Sequence, residues 1–272
     1  MADETRALRV VVAGAAGRMG TTTVQALALD PDFEIVCAVD RAHAGESLRA
    51  VAGPKAPDIP IREKFGVSVD ETKPDVLIDF TTHASAVEHA ASALRRGVAP
   101  VIGATGLTQH DIAELKLLSE ETGVPGIYVP NFAIGAVLMM RFAEMAARWL
   151  PDVEILEMHH DRKLDAPSGT AILTADRIAE SRKCVPTPPV TQSLKVEGAR
   201  GGVYKDIPIH SVRLPGLVAH QAVLFGGKGE LLTIRHDSLD RSSFMEGVKI
   251  ALRNVRKLRG FVVGLDKILF KS

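Results

Sequence analysis

Leu8-Arg9-Val10-Val11-Val12-Ala13-Gly14-Ala15-Ala16-Gly17-Arg18-Met19-Gly20 is the stretch on which the fold turns. A β-branched run ends in a glycine-rich turn, and the helical run Thr21 to Leu29 follows at once. Strand, turn and helix stand in the order a dinucleotide-binding unit requires. Glycines permit the tight turn and close backbone approach, and the helix N-terminus faces a pyrophosphate. The spacing Gly-x-x-Gly-x-x-Gly is a variant of the commoner fingerprint and is weak alone. It gains force from a second apolar run, Glu34 to Val39, which ends in Asp40, about twenty residues past the last glycine, where an acid takes a ribose diol. Arg41 follows, and a guanidinium there stacks on adenine or pairs with a 2′-phosphate. The acid repels that phosphate and the arginine attracts it, so use of both NADH and NADPH is expected, with a modest NADH bias. The competing reading is a glycine turn packed for helix–strand contact with no ligand.

Outward from this unit the pattern repeats. Residues 42–60 are rich in Ala, Gly, Pro and charge and read as a loop with at most one short helix. Asp75 to Phe80 is a strand, followed by Thr81-Thr82 and a helix from His83 to Arg96. Ala99 to Ile102 is a strand ending in Gly103-Ala104-Thr105-Gly106, then come a helix from Gln109 to Thr122 and a strand from Gly126 to Val129. Such alternation implies a parallel sheet with right-handed crossovers and a ligand face at the carboxyl ends of its strands. That rim carries Gly14, Ala15, Ala16, Gly17, Arg18, Met19, Asp40, Phe80, Thr81, Gly103, Ala104 and Thr105. His83 and His89 are expected on the surface, since a lone histidine is seldom a ligand.

The pattern changes at Pro130-Asn131-Phe132-Ala133-Ile134-Gly135-Ala136. Ala136 to Leu150 reads as a long apolar helix, with Met139-Met140 as core packing. Strands are then expected at Val153 to Met158, Val190 to Glu197, Ile207 to Arg213, Val218 to Phe225 and Glu230 to Asp237, in an antiparallel or mixed sheet. A final amphipathic helix, Ser242 to Leu258, capped by Asp240 or Ser242, is placed to return to the first domain. The fold class is α/β: an N-terminal Rossmann-like parallel-sheet domain plus an α+β domain with a mixed sheet. The expected division is 1–130 with 241–272 for the dinucleotide, and 131–240 for substrate and oligomerisation.

A second cluster, His159-His160-Asp161-Arg162-Lys163-Leu164-Asp165-Ala166-Pro167-Ser168-Gly169-Thr170-Ala171, follows the first strand of the second domain. Histidine is the side chain best suited to proton transfer near neutral pH, and lysine shares that work or neutralises an anion. The Ser168-Gly169-Thr170 step into a helix adds N–H groups and hydroxyls at a natural carboxylate seat. The cluster reads as a proton donor beside an anion hole. The plainer alternative is a polar loop in which Ser168 or Thr170 only caps the helix.

The chain has 272 residues, 46% of them hydrophobic, and a formal net charge of zero. No basic footprint calls for nucleic acid or an anionic membrane. Two cysteines, Cys37 and Cys184, make a disulfide framework or a cysteine-based metal site an unpromising reading, so no metal is expected. No apolar run has the length of a membrane span, and Met1 to Arg6 does not read as a signal peptide, so a cytoplasmic location is expected.

Several motifs together carry a family resemblance over almost the whole chain. They are Gly14-Ala-Ala-Gly-Arg-Met-Gly20, Asp79-Phe80-Thr81, Gly103-Ala-Thr-Gly106, Pro130-Asn-Phe-Ala-Ile-Gly135, Glu157-Met-His-His160 with Lys163-Leu-Asp-Ala-Pro-Ser-Gly-Thr-Ala171, and His210-Ser-Val-Arg213. The sequence resembles the dihydrodipicolinate reductases, also called 4-hydroxy-tetrahydrodipicolinate reductases, of diaminopimelate and lysine biosynthesis. The resemblance implies NAD(P)H-dependent reduction of a cyclic unsaturated dicarboxylate with loss of water, in a homotetramer. It implies His159 as proton donor or acceptor and Lys163 as second proton donor. His160, Lys163, Ser168, Gly169 and Thr170 would hold the substrate, and Val129, Pro130, Asn131 and Phe132 would join the cofactor rim. Ala104 stands where many relatives have threonine, which removes a hydroxyl and leaves the backbone contacts. Two alternatives remain: a non-catalytic dinucleotide sensor, and a related dehydrogenase for another small imine or keto acid.

Overall fold

The computed structural model describes residues 6–183, 186 and 193–270. By backbone contacts the chain divides into two compact units, 1–132 with 244–272, and 133–243. The first unit opens with β1 (Leu8–Ala13), α1 (Arg18–Leu27), β2 (Phe33–Val39), α2 (Leu48–Ala52) and β3 (Ile61–Arg62). It continues through α3 (Phe65–Thr72), β4 (Val76–Asp79), α4 (His83–Arg95), β5 (Ala99–Ile102), α5 (Gln109–Thr122) and β6 (Gly126–Tyr128). The second unit contains α6 (Ile134–Ala146), β7 (Asp152–His159), α7 (Gly169–Ser181), β8 (Gly202–Tyr204), β9 (Ile207–Arg213), β10 (Ala219–Gly227) and β11 (Glu230–Ser238). After a 3-10 turn at Arg241–Phe244 the chain adds α8 (Met245–Val255), β12 (Phe261–Val263) and α9 (Asp266–Leu269) to the first unit.

The first sheet has the order β12-β6-β5-β4-β1-β2-β3, and every neighbouring pair is parallel. Val10 to Val12 and Val76 to Ile78 are wholly buried, as central strands covered by helices on both faces must be. The strand order reverses at β1 and β4, whose last residues, Ala13 and Asp79, are paired. The glycine turn and Phe80-Thr81 therefore leave the sheet side by side at the switch point where such sheets bind ligands. Cys37 lies in this core, and burial raises its thiol to about 11, far from a reactive thiolate.

α1 begins three residues earlier than the sequence pattern suggests, because Gly17 takes the N-cap position in extended conformation. The loop at 42–60 contains the one short helix allowed for, α2. The sequence gives no sign of β3, α3 or β12. β3 and β12 have two and three residues, too few for periodicity to register. α3 is held by Phe65 and Val69 packing with Cys37 and Val39.

The second sheet, β11-β10-β7-β9-β8, is mixed: β7 pairs parallel with β9, and its other pairs are antiparallel. Met139 and Met140 are core residues, as their place on an apolar helix implies. α6 starts and stops earlier than expected. Of the strand expected at 190–197, residues 190–192 lie outside the described set, 193–194 are irregular, and 195–197 form a bend leading into a turn. The edge strand is β8, following Gly201 at φ +72°. The helix expected from Ser242 is α8, which begins at Met245; Asp240 Oδ1 accepts the Ser242 N–H (2.7 Å) and caps the preceding 3-10 turn.

Candidate active site

Gly14 has φ +73°, and a Cβ there would stand 2.9 Å from the backbone C and O of Phe80. Only glycine fits where the two strand ends approach so closely. Asp40, at the end of β2, uses both carboxylate oxygens on backbone: Oδ2 accepts the Ala16 N–H (3.1 Å) and Oδ1 the Ala42 N–H (3.0 Å). The acid thus ties the glycine turn to the tip of β2. A cleft of about 760 Å³ opens here, lined by Gly14, Gly17, Asp40, Arg41, Phe80 and Thr81 among others. No side chain caps α1, so its first turn faces this cleft with N–H groups suited to a pyrophosphate. Glycine, acid and uncapped helix form a cradle that a side chain would fill, which fits a dinucleotide.

Other residues expected on the rim are packed into the unit. Ala15 and Val129 are completely buried and support the rim from beneath; Ala104 and Phe132 are nearly so. Gly103 lies against two rings, its imagined Cβ 2.3 Å from Phe80 Cε1 and 2.8 Å from Phe132 Cε2, and those rings meet edge to face at 5.8 Å. His83 is a surface residue paired with Asp111. His89 corrects the surface expectation. Its side chain is 16% exposed, stacks on Phe65 at 4.6 Å, lines the same cleft, and bonds through Nδ1 to Asp79 Oδ2 (2.8 Å). Asp79 is fully buried and also accepts the Thr81 N–H (2.8 Å) and hydroxyl (2.6 Å). A helix residue whose partner sits ten positions away at a strand end gives no local sign of it.

In the second unit the histidine–lysine cluster is built from β7. Val153, Ile155 and Glu157 alternate inward, so a carboxylate stands in an apolar row with 0% exposure. Four hydrogen bonds hold it, together with the Ser211 hydroxyl. Oε2 takes His159 Nδ1 (2.6 Å) and Arg213 Nη1 (2.9 Å), and Oε1 takes Arg213 Nη2 (2.8 Å) and the Ser168 N–H (3.2 Å). Burial pushes the Glu157 carboxyl up, but the bonds from His159 and Arg213 outweigh it and bring it down to about 2. An ionised carboxylate only accepts, so His159 Nδ1 carries its proton toward Glu157, and Nε2 is the ring nitrogen outside this bond.

Lys163 Nζ forks onto Asp165 at 2.7 and 2.8 Å, and this ammonium holds the Asp165 carboxyl below its usual range. The capping reading of Ser168 holds: its Oγ accepts the Ala171 N–H (3.2 Å) at the start of α7. Gly169, next to it, is exposed, and a Cβ there would meet nothing within 4 Å. Sequence reasoning gave no role to Glu157 or Arg213. The first was findable, since Val153-x-Ile155-x-Glu157-x-His159 puts an acid on the inward face of a strand two residues before the histidine. Arg213 arrives from 56 positions away and has no local signal. Among the described residues no group of three or more His, Cys, Asp or Glu could hold a metal ion, and no helix is long and apolar enough to cross a membrane.

The model for "Dihydrodipicolinate reductase, N-terminus" matches residues 8–132, and that for "Dihydrodipicolinate reductase, C-terminus" matches residues 135–269. The chain belongs to the dihydrodipicolinate reductase family. The 4-hydroxy-tetrahydrodipicolinate reductase of Geobacillus thermodenitrificans is 52% identical over 96% of this chain and 99% of its own length, and that of Halalkalibacterium halodurans 48% over the same shares. A dipicolinate-bound dihydrodipicolinate reductase from Paenisporosarcina sp. TG-14 superposes with a TM-score of 0.85 at 44% identity, covering 96% of this chain and 99% of that one. An amine dehydrogenase from Mycobacterium smegmatis (TM-score 0.68, 13% identity, 97% of both chains) shares the fold alone. Family membership makes this chain an NAD(P)H-dependent oxidoreductase that reduces 4-hydroxy-tetrahydrodipicolinate in diaminopimelate and lysine biosynthesis.

Proposed function

We propose that His159 is the proton donor or acceptor of this reduction and Lys163 a second proton donor, with the first unit holding the cofactor and the second the substrate. The observation that carries this is the 2.6 Å bond from His159 Nδ1 to a buried, ionised Glu157, which leaves Nε2 as the atom for proton transfer. Bound NADH or NADPH supplies a hydride. Once hydride has been added, the substrate is electron-rich and needs an acid placed beside it. His159 Nε2 gives that proton to carbon, replacing the ring C–H proton lost to solvent as water leaves, and the Lys163 ammonium protonates the departing hydroxyl, so that one hydride and one net proton are consumed. A dianionic substrate also needs donors at its carboxylates. His160, Lys163, Ser168 and Thr170 supply them with the start of α7, and open space at Gly169 lets a carboxylate approach the backbone. The dipicolinate bound to the Paenisporosarcina relative is a dicarboxylate of the kind this seat would take.

In the first unit, Gly14 to Met19 and Gly103 to Thr105 surround the pyrophosphate and nicotinamide, Asp40 takes the ribose diol, and Arg41 meets the adenine or a 2′-phosphate. Phe80 and Thr81, with Val129, Pro130, Asn131 and Phe132, complete the rim. A modest preference for NADH follows from Asp40, and a KM for NADPH far below that for NADH would refute it. His159→Gln and Lys163→Ala should each lower turnover by roughly 10²-fold or more with cofactor affinity kept; near-wild-type rates in both would end this assignment. The substrate for the assay is generated in place from pyruvate and aspartate semialdehyde. We also propose a cytoplasmic homotetramer: Leu231 and Val203 stand exposed on the second unit's sheet, as they would on a face awaiting copies of itself. Sedimentation velocity distinguishes a tetramer from a monomer.

A further inference from the structure

Glu157 does more than orient an imidazole, because its charge is not left to act on His159 alone. The carboxylate has about four acceptor positions, and the four bonds described above, two of them from a single guanidinium, share them with the Ser211 hydroxyl. Arg213 is correspondingly committed. Nη1 bonds Glu157 Oε2 and the Val212 carbonyl (2.8 Å), and Nη2 bonds Glu157 Oε1 and the Asp165 carbonyl (2.8 Å). Its side chain is 19% exposed, and its Nε is buried without a hydrogen-bond partner. A guanidinium held this way is placed for its charge and its fork. One residue of β9 therefore touches both proton-donor elements: it neutralises the counter-ion of His159, and it fixes the backbone of Asp165, whose carboxylate carries Lys163.

We propose that Arg213 is a positioning residue that sets how firmly His159 holds its proton, by offsetting the Glu157 charge, while it anchors the loop bearing Lys163. A buried carboxylate in direct contact strengthens an imidazolium's grip on its proton, and a guanidinium on the same carboxylate weakens that effect. The pair orients His159 while Arg213 offsets the charge that orients it. The inference rests on the reading of His159 as proton donor.

The charged and titratable groups packed about the pair come from β7 (Glu157), β9 (Arg213) and the loop 160–168 (His160, Lys163, Asp165). β10 brings Ala219 opposite His159 and Gln221 opposite Glu157, β9 brings Ser211 opposite Glu157, and α7 brings Thr174 to Gln221; none of these is charged. His236 of β11 lies opposite Gln221, one strand further from Glu157.

The test is the pH dependence of kcat/KM for the whole enzyme, following NADH oxidation. A proton donor works in its protonated form, so activity falls on the basic side. Glu157→Gln removes the anion and should move that basic limb to lower pH by about one unit or more. Arg213→Met leaves the anion unopposed and should move the limb to higher pH by about one unit. Arg213→Lys keeps the charge without the fork: the limb should stay within about 0.3 units while kcat falls roughly 10-fold as the loop loosens. Opposite displacements from two partners of one ion pair are not what a merely structural role produces, since damage to packing lowers the whole profile. If Arg213→Met does not fold, Glu157→Gln and Arg213→Lys decide. Limbs that stay in place in Glu157→Gln, or a limb that moves in Arg213→Lys as far as in Glu157→Gln, overturn the inference. His159→Gln serves as the control for the underlying reading: normal turnover there removes the proton donor itself, whereas turnover lost there with immobile limbs elsewhere removes only the role of Arg213.

Discussion

Gly20→Ala tests the close approach on which the nucleotide-binding turn depends. A Cβ at residue 20 would lie 2.0 Å from the Gly14 carbonyl oxygen and 2.8 Å from Ala15 Cα, both backbone atoms. An ordinary carbon–oxygen contact is about 3.3 Å, so α1 and the turn must separate by roughly 1.3 Å. No side chain can swing aside to absorb this. Overpacking of that kind costs about 1–3 kcal/mol, while replacing glycine by alanine inside a helix returns about 1 kcal/mol. The net loss is up to about 2 kcal/mol, or up to roughly 8 °C in melting temperature for a unit of this size. A 1 Å displacement of a binding turn costs about 10²-fold in function, so NADH affinity should fall at least 10-fold. Gly17→Ala is the comparison. Its Cβ would stand 3.3 Å from the Gly14 oxygen, a contact that relaxes cheaply, but Gly17 lines the cleft. That variant should melt within about 2 °C of the parent and still lose NADH affinity. Thermal unfolding followed by circular dichroism, with NADH titration by fluorescence, reads both quantities. A Gly20→Ala protein that melts and binds NADH like the parent would refute the reasoning, because the glycine would then be needed neither for packing nor for the cofactor.

Two further outcomes follow from the second unit. Glu157 has a folded-state carboxyl at about 2 against an ordinary 4.5, so its contribution is complete above the ordinary value and disappears as pH falls through the folded one. About 1.4 kcal/mol per unit makes this about 3 kcal/mol. Parent and Glu157→Gln should therefore converge in unfolding free energy between about pH 5 and pH 2, and a gap that stays constant in urea titrations over that range would contradict it. Ser168→Ala removes the only side-chain cap found on α7 and should lower stability by about 1 kcal/mol; a melting temperature unchanged from the parent would show that the cap carries no weight there.

The sequence by itself determined the parallel-sheet unit. Apolar runs such as Val10-Val11-Val12 and Val76-Leu77-Ile78 are buried on both faces, and between them lie helices and a glycine turn whose requirements are local. It also set the groups of the second cluster side by side, since His159, Lys163 and the Ser168-Gly169-Thr170 step lie within twelve consecutive positions. The place of Asp40 at the tip of β2, against the glycine turn, was legible because its distance from the glycines is set by one strand–helix–strand repeat. The tertiary structure alone decided what holds these groups. Arg213 reaches Glu157 across 56 residues, and β12 closes the first sheet beside β6 after the chain has built an entire second unit. His89 looked like a surface residue until Asp79 and Phe65 were brought against it. Periodicity records which face of an element is apolar. It does not record which distant charge will be buried against that face, because the free energy that selects the partner arises only when both have left water together.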